Sequence, residues 1–294
     1  ATINNLSTGF QSNTLMTFGA ATPTTKVTAT TDISGYDANK IKALTVAEAA
    51  ALTTEQVSSI STAAMAGLTA GQLGVLTAAN VAAFTDQQMG AFSNTQIAAF
   101  KPSQIGAMTS SQINSLSTSQ MGALSVTQVA SLNVSRIKDI DSTRLGALSS
   151  KQIQALTTDQ IVNLIAEQLG GMSTSQVASL KVGQVAAIET RDLAKLTTEQ
   201  VQSLSTSAVA SLTVAQVSNM STEQTSAFKT EQLRALTAKQ VSALTTAQVA
   251  NLSSTQIAAF STAQIRAIET VDMAAISSSN FAALTTAQVG AMTN

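Results

Sequence analysis

The chain has 294 residues with 44% hydrophobic content, 11% charged residues and a formal net charge of −1. A near-neutral chain makes no electrostatic case for binding nucleic acid or an anionic membrane surface. It contains no His and no Cys, which excludes disulfides, thiolate metal sites and the commonest catalytic bases.

Residues 1–35 precede the repeated part of the chain and are expected to form an extended N-terminal arm. The stretch ATPTTKVTATTDIS, residues 21–34, is rich in β-branched residues and shows no helical periodicity. The arm is expected either to be a tail or cap on the first coil, or to add to a neighbouring subunit. As it stands, the N-terminus is not a signal peptide, although a cleaved one could have preceded it. No apolar run reaches the ~18 residues of a membrane span.

From residue 36 onward the sequence repeats every eight residues. After a degenerate unit at 36–43, residues 44–291 form 31 octads without insertion or deletion. The first position is always large and apolar, the second is Ser or Thr in 23 octads, and the fifth is Gln in 22. The sixth is apolar everywhere except Thr225. The consensus is L-[ST]-T-x-Q-[IV]-A-[AS], and residues 36–294 are predicted to be one repeat domain.

An eight-residue period fits neither a continuous helix nor a continuous strand. In a helix, eight residues overshoot two turns by about 80°, so the apolar stripe would circle the surface. The second and fifth positions instead match the capping box at the start of a helix, with the first and sixth as its hydrophobic staple. Pro102 falls at the first helical position, where proline is accepted. Each octad therefore predicts a short helix of about five or six residues followed by a bend.

One such unit buries too little to stand alone, so the octads are predicted to stack into an all-α solenoid. The first and sixth positions would line its axis, and the small seventh and eighth residues would let coils approach. Glycines at 74, 90, 106 and 122 recur every sixteen residues, which favours two octads per coil. A β-solenoid is the alternative fold, because Val, Ile and Thr also favour strands.

Three features of the repeat array are candidate sites. Residues 136–144 are densely charged; Asp139 and Asp141 are a weak calcium candidate, but Asp141 also fits a helix cap, with Arg136 and Arg144 expected to face solvent. Octads 188–195 and 268–275 both carry acids at the second and fifth positions, which indicates a duplication, an intersubunit contact or tolerated variation on a solvated face. The run Phe84, Phe92 and Phe100 is interpreted as packing. No catalytic, cofactor-binding or metal-binding residue is predicted, and an enzyme is not expected.

Units such as LTTAQVAN (244–251) and LTTAQVGA (284–291) resemble the octapeptide arrays of large Ser/Thr-rich bacterial surface proteins, often called adhesin-like. The resemblance covers residues 44–294 and implies export to the cell surface. No ligand-binding head is evident, so the first hypothesis is a structural subunit of an extracellular filament, sheath or surface layer. It would self-assemble through the solenoid ends and the N-terminal arm. An adhesin-like solenoid that binds a peptide or surface glycan is the alternative, and an ice-binding protein with rows of Thr is the third.

Overall fold

The computed structural model describes residues 26–292, and within them every octad forms one short helix. Two octads form 3₁₀-helices, at Ala64–Gly67 and Val134–Asp139. The α-helices are Ala38–Ala43, Val46–Ala50, Thr54–Ser59, Ala70–Leu73, Ala78–Ala83, Asp86–Ala91, Asn94–Ala99, Pro102–Ala107, Ser110–Ser115, Thr118–Ala123, Val126–Ala130, Ser142–Gly146, Ser150–Ile153, Thr158–Val162, Ala166–Gly170, Thr174–Ala178, Val182–Ala187, Thr190–Leu193, Thr198–Ser203, Thr206–Ala210, Val214–Asn219, Thr222–Ser226, Thr230–Ala235, Ala238–Val241, Thr246–Ala250, Ser254–Ala259, Thr262–Ala267, Thr270–Ala274, Ser278–Ala282 and Thr286–Ala291. The residues described contain no strand, so the all-α solenoid is confirmed and the β-solenoid alternative is wrong.

Most helices begin at the capping box that the sequence predicts. In a representative octad, Ser117 has extended backbone angles, its hydroxyl accepts from the backbone N–H of Gln120, and the Gln120 side chain accepts from the backbone N–H of Ser117. The next first-position residue, Leu124, returns to an extended conformation and ends the helix. The helix cannot continue because the chain must turn into the next cap. Pro102 stands at the start of its helix, as predicted.

The first and sixth positions form one continuous core along the inside of the solenoid. Ile97, at a sixth position, is completely buried, and Phe100, at a first position, is 3% exposed. Neighbouring rings of the phenylalanine run pack edge to face, with 5.2 Å between the centroids of Phe84 and Phe92 and 5.3 Å between those of Phe92 and Phe100. These three rings therefore serve packing, as the sequence indicates.

One coil takes between three and four octads, so the expected two octads per coil are wrong. Hydrogen bonds between successive coils join residues 25, 28 and 31 positions apart, as in the bond from the Asn94 side chain to Ser119 and those from Gln120 to Phe92 and Met89. The middle spacing of 28 residues corresponds to three and a half octads. Successive coils are therefore staggered by half an octad, and each helix start lies over the end of a helix in the coil before it.

The sixteen-residue glycine spacing is not the coil period, and at two positions glycine is required by close approach between coils. A Cβ added at Gly106 would lie 2.8 Å from the carbonyl oxygen of Ser131, and one at Gly67 would overlap the carbonyl of Ala38. Real Cβ atoms do not approach a backbone oxygen so closely, and neither neighbour is a flexible side chain. The prediction that small residues let coils approach is confirmed at these positions.

Of the predicted arm, residues 1–25 lie outside the described residues, whereas residues 26–35 pack on the first coil. Val27 and Ile33 are buried in the core. The side-chain amide of Gln56 donates to the carbonyls of Thr28 and Thr31, and the carboxylate of Glu48 accepts from the backbone N–H of Val27. Residues 26–35 therefore occupy the place that a preceding coil would take.

Candidate functional site

The most regular polar feature of the molecule is the fifth-position side chain, which joins each coil to the one before. The Oε1 atom of Gln120 accepts from the backbone N–H of Ser117 at 2.6 Å and so caps its own helix. Its Nε2 atom donates to the carbonyls of Met89 at 3.0 Å and Phe92 at 2.7 Å, at the end of a helix in the preceding coil. A single amide thus supplies the missing acceptor at one helix start and the missing donors at one helix end.

This arrangement recurs along the whole solenoid, and we call it the amide ladder. Every fifth-position side chain with an N–H group donates to the backbone carbonyl 28 residues earlier, which is always the carbonyl of a first-position residue or, for Gln56, of Thr28. We call each of these bonds a rung. The shorter Asn80 also reaches, at 2.9 Å to the Leu52 carbonyl.

The ladder is a buried polar network whose side-chain nitrogen and oxygen atoms are hydrogen-bonded. Most ladder glutamines are buried, and no buried side-chain nitrogen or oxygen among residues 26–292 lacks a hydrogen-bond partner. Each such bond stabilises the fold by about 0.5–1.5 kcal/mol net, and leaving its buried partner unpaired costs more. Fully satisfied buried networks favour one arrangement of their elements, so the ladder fixes the register between coils.

A few second positions lack the hydroxyl of the capping box and keep only its glutamine half. At these positions the backbone N–H still donates to the glutamine Oε1, whereas the second-position side chain accepts nothing; they are Lys101, Ile165, Lys181 and Lys229. The ladder bond persists in all four octads. The glutamine is therefore the more constant half of the box.

In the charged stretch 136–144, both arginines replace glutamine in the ladder, so the expectation that they face solvent is wrong. Arg136 donates from Nη1 to the carbonyls of Ala107 and Met108, and Arg144 donates from Nε to that of Leu116. Both side chains are half-buried. A guanidinium has the length and the N–H groups to reach the same carbonyls.

The two aspartates of this stretch have separate partners. Asp141 caps its helix by accepting from the backbone N–H of Arg144 at 2.8 Å, and it forms an ion pair with the Arg144 guanidinium at 3.1 Å. Asp139 is exposed and accepts from the hydroxyl of Ser110. Within residues 26–292 no three acidic side chains lie close enough to hold a metal ion. Asp141 is a helix cap, which was the preferred interpretation from the sequence.

Octads 188–195 and 268–275 place a carboxylate where the ladder needs a donor. Asp192 and Asp272 are each 5% exposed, so the interpretation as variation on a solvated face is wrong for both. Asp192 lies 3.5 Å from Nε of Arg191, and Asp272 accepts from the hydroxyl of Thr246 at 2.6 Å. A carboxylate at neutral pH accepts but cannot donate, so neither can form a rung.

Some exposed glutamates at the fourth position show that the helix starts attract negative charge. The pKa of Glu55, Glu199 and Glu223 is lowered, first by the backbone N–H of the same residue and then by nearby Ser and Thr hydroxyls. These N–H groups belong to the first turn of a helix and have no partner within it. The effect is local to each helix start.

The outer surface carries shallow hollows. One of about 410 Å³ is lined by hydroxyl groups, including those of Ser175, Ser203 and Ser205, and by Lys229 and Glu231. Another of about 460 Å³ opens at the C-terminal coil, and its lining includes Ile268, Met273, Phe281 and Met292. No helix among residues 26–292 combines the length and the apolar character needed to cross a membrane.

A family model described as the ALTTAQ repeat matches four segments of the chain, at residues 97–134, 185–222, 222–254 and 265–294. No curated protein matches the chain. The matched segments begin and end within the same array of octads and share its helices and its ladder. The chain is therefore a tandem Ser/Thr-rich repeat protein with segments similar to this repeat family.

The ladder's donor role is the feature that the sequence reasoning missed. The capping box needs only an acceptor at its last position, and Glu serves there as well as Gln. Yet the fifth position is Gln in 22 octads and Glu only at Glu48. That preference was the available signal that the side chain must also donate. At Glu48 the contact is reversed, because the backbone N–H of Val27 donates to the carboxylate.

Proposed function

We propose that this protein is a structural subunit of an extracellular filament, sheath or surface layer, with no catalytic role. The observation that carries the proposal is the amide ladder, which runs from Gln56 to Gln288 with gaps at a few octads and joins most octads to the coil before. Most octads complete the hydrogen bonding of the coil before them, so the fold favours length and regularity. The glutamines at the fifth position are committed to this role and are not free for chemistry.

Self-association through the ends of the solenoid is part of the proposal. At the C-terminal coil the sixth-position residues Phe281 and Val289 are 42% and 40% exposed, whereas Ile257 and Val249 at the same position are buried. Exposed apolar side chains around a hollow favour contact with another surface. We propose that a second copy covers this end, with residues 1–25 of that copy as the connecting arm.

The proposed location is the outside of a bacterial cell. Its support is the resemblance of the octads to those of adhesin-like surface proteins. The low content of charged residues and the prevalence of Ser and Thr suit a repetitive surface material. Location is tested separately, by labelling intact cells with an antibody to the chain.

An adhesin-like binding module is the second candidate, and one hollow favours it. The hollow of about 410 Å³ combines serine hydroxyls with the ammonium of Lys229 and the carboxylate of Glu231, which suits a polar peptide or a surface glycan. Among residues 26–292 no aromatic side chain lines this hollow, and aromatic anchors are typical of strong binding sites. The ice-binding alternative stays a prediction, with less support because the half-octad stagger interrupts the vertical rows of Thr.

The proposal is tested by negative-stain microscopy and sedimentation of the full chain over a range of concentration and salt. We expect rod-like particles that join end to end as concentration rises. The double variant Phe281→Ser with Val289→Ser should remain single rods, whereas the control Val126→Ser with Val182→Ser, on exposed positions along the side, should assemble as the parent does. Single monomers under every condition would exclude the filament, and assembly by the end variant would exclude the end contact.

A further inference from the structure

The amide ladder is incomplete at one place in the middle of the solenoid. Every octad from that of Gln88 to that of Gln184 forms a rung to the preceding coil. In the next three octads, which make up most of one coil (residues 188–211), the fifth positions are Asp192, Gln200 and Ala208, and only Gln200 donates. The carbonyls of Leu164 and Leu180, which lie 28 residues before Asp192 and Ala208, receive no donor from a fifth position.

The same two octads also lack complete capping boxes. The Ser205 hydroxyl accepts from the backbone N–H of Ala208, but alanine offers no acceptor in return. In the other octad the cap position is Glu189, whose side chain accepts no hydrogen bond from the helix. Both helix starts in this coil are therefore held more weakly than those of consensus octads.

Two hollows of the outer surface also border this coil. The hydroxyl-lined hollow of about 410 Å³ reaches from Thr174 and Ser175 to residues 202–206, across the boundary with the preceding coil. A second hollow, of about 510 Å³, lies around residues 188–191 and Thr213. Above the coil, Gln224 donates to the carbonyls of Leu193 and Leu196, and the adjacent core residue is Thr225, the one polar sixth-position residue.

We propose that residues 188–211 form a seam whose weak contact with the preceding coil opens first, dividing the solenoid into two cooperative units, 36–187 and 188–292. Repeat proteins are stabilised by each unit and by its contacts with the next, so a weak contact in the middle limits cooperativity there. In a rod under tension, this seam is the coil that separates before the others. The proposal does not depend on where the protein is located or on whether it assembles.

Hydrogen exchange followed by mass spectrometry on the full chain tests the seam. Two missing rungs out of three should make backbone amides in residues 188–211 exchange about tenfold faster than those in 104–127, a region with complete rungs. The variant Asp192→Asn is isosteric, and Asn80 shows that an asparagine at this position reaches the carbonyl 28 residues earlier. Combined with Ala208→Gln, it should slow exchange in the seam about tenfold and leave 104–127 unchanged.

A matched control moves the same defects to an intact region. Gln160 and Gln176 are sixteen residues apart, like Asp192 and Ala208, and donate to the carbonyls of Leu132 and Leu148. The variant Gln160→Asp with Gln176→Ala should create a second fast-exchanging coil. Equal exchange of 188–211 and 104–127 in the parent would overturn the proposal. Unchanged exchange of residues 188–211 in the double variant Asp192→Asn with Ala208→Gln would also overturn it. If Ala208→Gln does not fold, the same comparison is made with Asp192→Asn alone.

Discussion

Replacing a ladder glutamine by glutamate separates its two roles, because the carboxylate can still cap its own helix but no longer donates. Gln120 is 3% exposed, and its Nε2 atom donates to the carbonyls of Met89 and Phe92. In Gln120→Glu both bonds are lost and a carboxylate oxygen faces two carbonyl oxygens. We expect the free energy of unfolding to fall by about 2–4 kcal/mol at neutral pH, from two lost bonds and the burial of an unpaired charge.

The assay is urea denaturation, with hydrogen exchange of residues 118–123 to show that the loss is local. Below the titration range of the carboxyl the loss should shrink, because a protonated carboxyl again donates one hydrogen bond. Ser117→Ala measures the cap alone and should cost about 1 kcal/mol. Gln202→Glu makes the same charge change at an exposed position and should stay within about 0.5 kcal/mol of the parent. A Gln120→Glu protein as stable as the Gln202→Glu control would refute the donor role.

Further predictions concern packing, acid and coil register. In a denaturant melt, Gly67→Ala should lower the free energy of unfolding by about 1–3 kcal/mol, because the Cβ of the new alanine overlaps the carbonyl of Ala38. Gly146→Ala should instead raise it by about 0.5–1 kcal/mol, because the new Cβ would lie 3.6 Å from the nearest carbonyl oxygen. The backbone N–H groups of Thr45 and then Val27 lower the pKa of Glu48. The stability that the Glu48 carboxylate gives to residues 26–35 is therefore complete above the ordinary pKa of glutamate and is lost as the pH falls through the lowered value. Hydrogen exchange of the Val27 amide should accelerate in acid and, at neutral pH, in the variant Glu48→Gln. The chain has no Cys of its own, so disulfides can test which side chains face each other. On oxidation, the double variant Asn94→Cys with Ser119→Cys should form a disulfide, because these side chains are in contact between successive coils, whereas Asn94→Cys with Ser110→Cys should not. Gel mobility reports the disulfide, and the reverse result would favour the coil of two octads.

Local structure could be predicted from the sequence because its signals lie within one octad. Cap, glutamine and staple identified each helix and its start, and the alternation of first and sixth positions identified the core. Pro102 and the phenylalanine run fell where the pattern placed them. The fold class followed because a unit this short cannot bury enough surface alone.

The number of octads per coil could not be predicted, because it depends on contacts 25 to 31 residues apart that leave little trace within an octad. The glycines at sixteen-residue intervals suggested a period, yet Gly106 is small because of the Ser131 carbonyl. Arg136 and Arg144 looked like solvated charges for the same reason. Their role became apparent only with the carbonyls of the preceding coil in place.

The most direct test of the ladder is to observe one rung in solution. With selective labelling of glutamine side chains, nuclear Overhauser effects should connect the side-chain amide protons of Gln120 to the α protons of Met89 and Phe92, which lie 31 and 28 residues earlier. Those amide protons should also exchange far more slowly than the exposed ones of Gln202. Overhauser effects confined to the Ser117 octad, with side-chain exchange as fast as that of Gln202, would contradict the account.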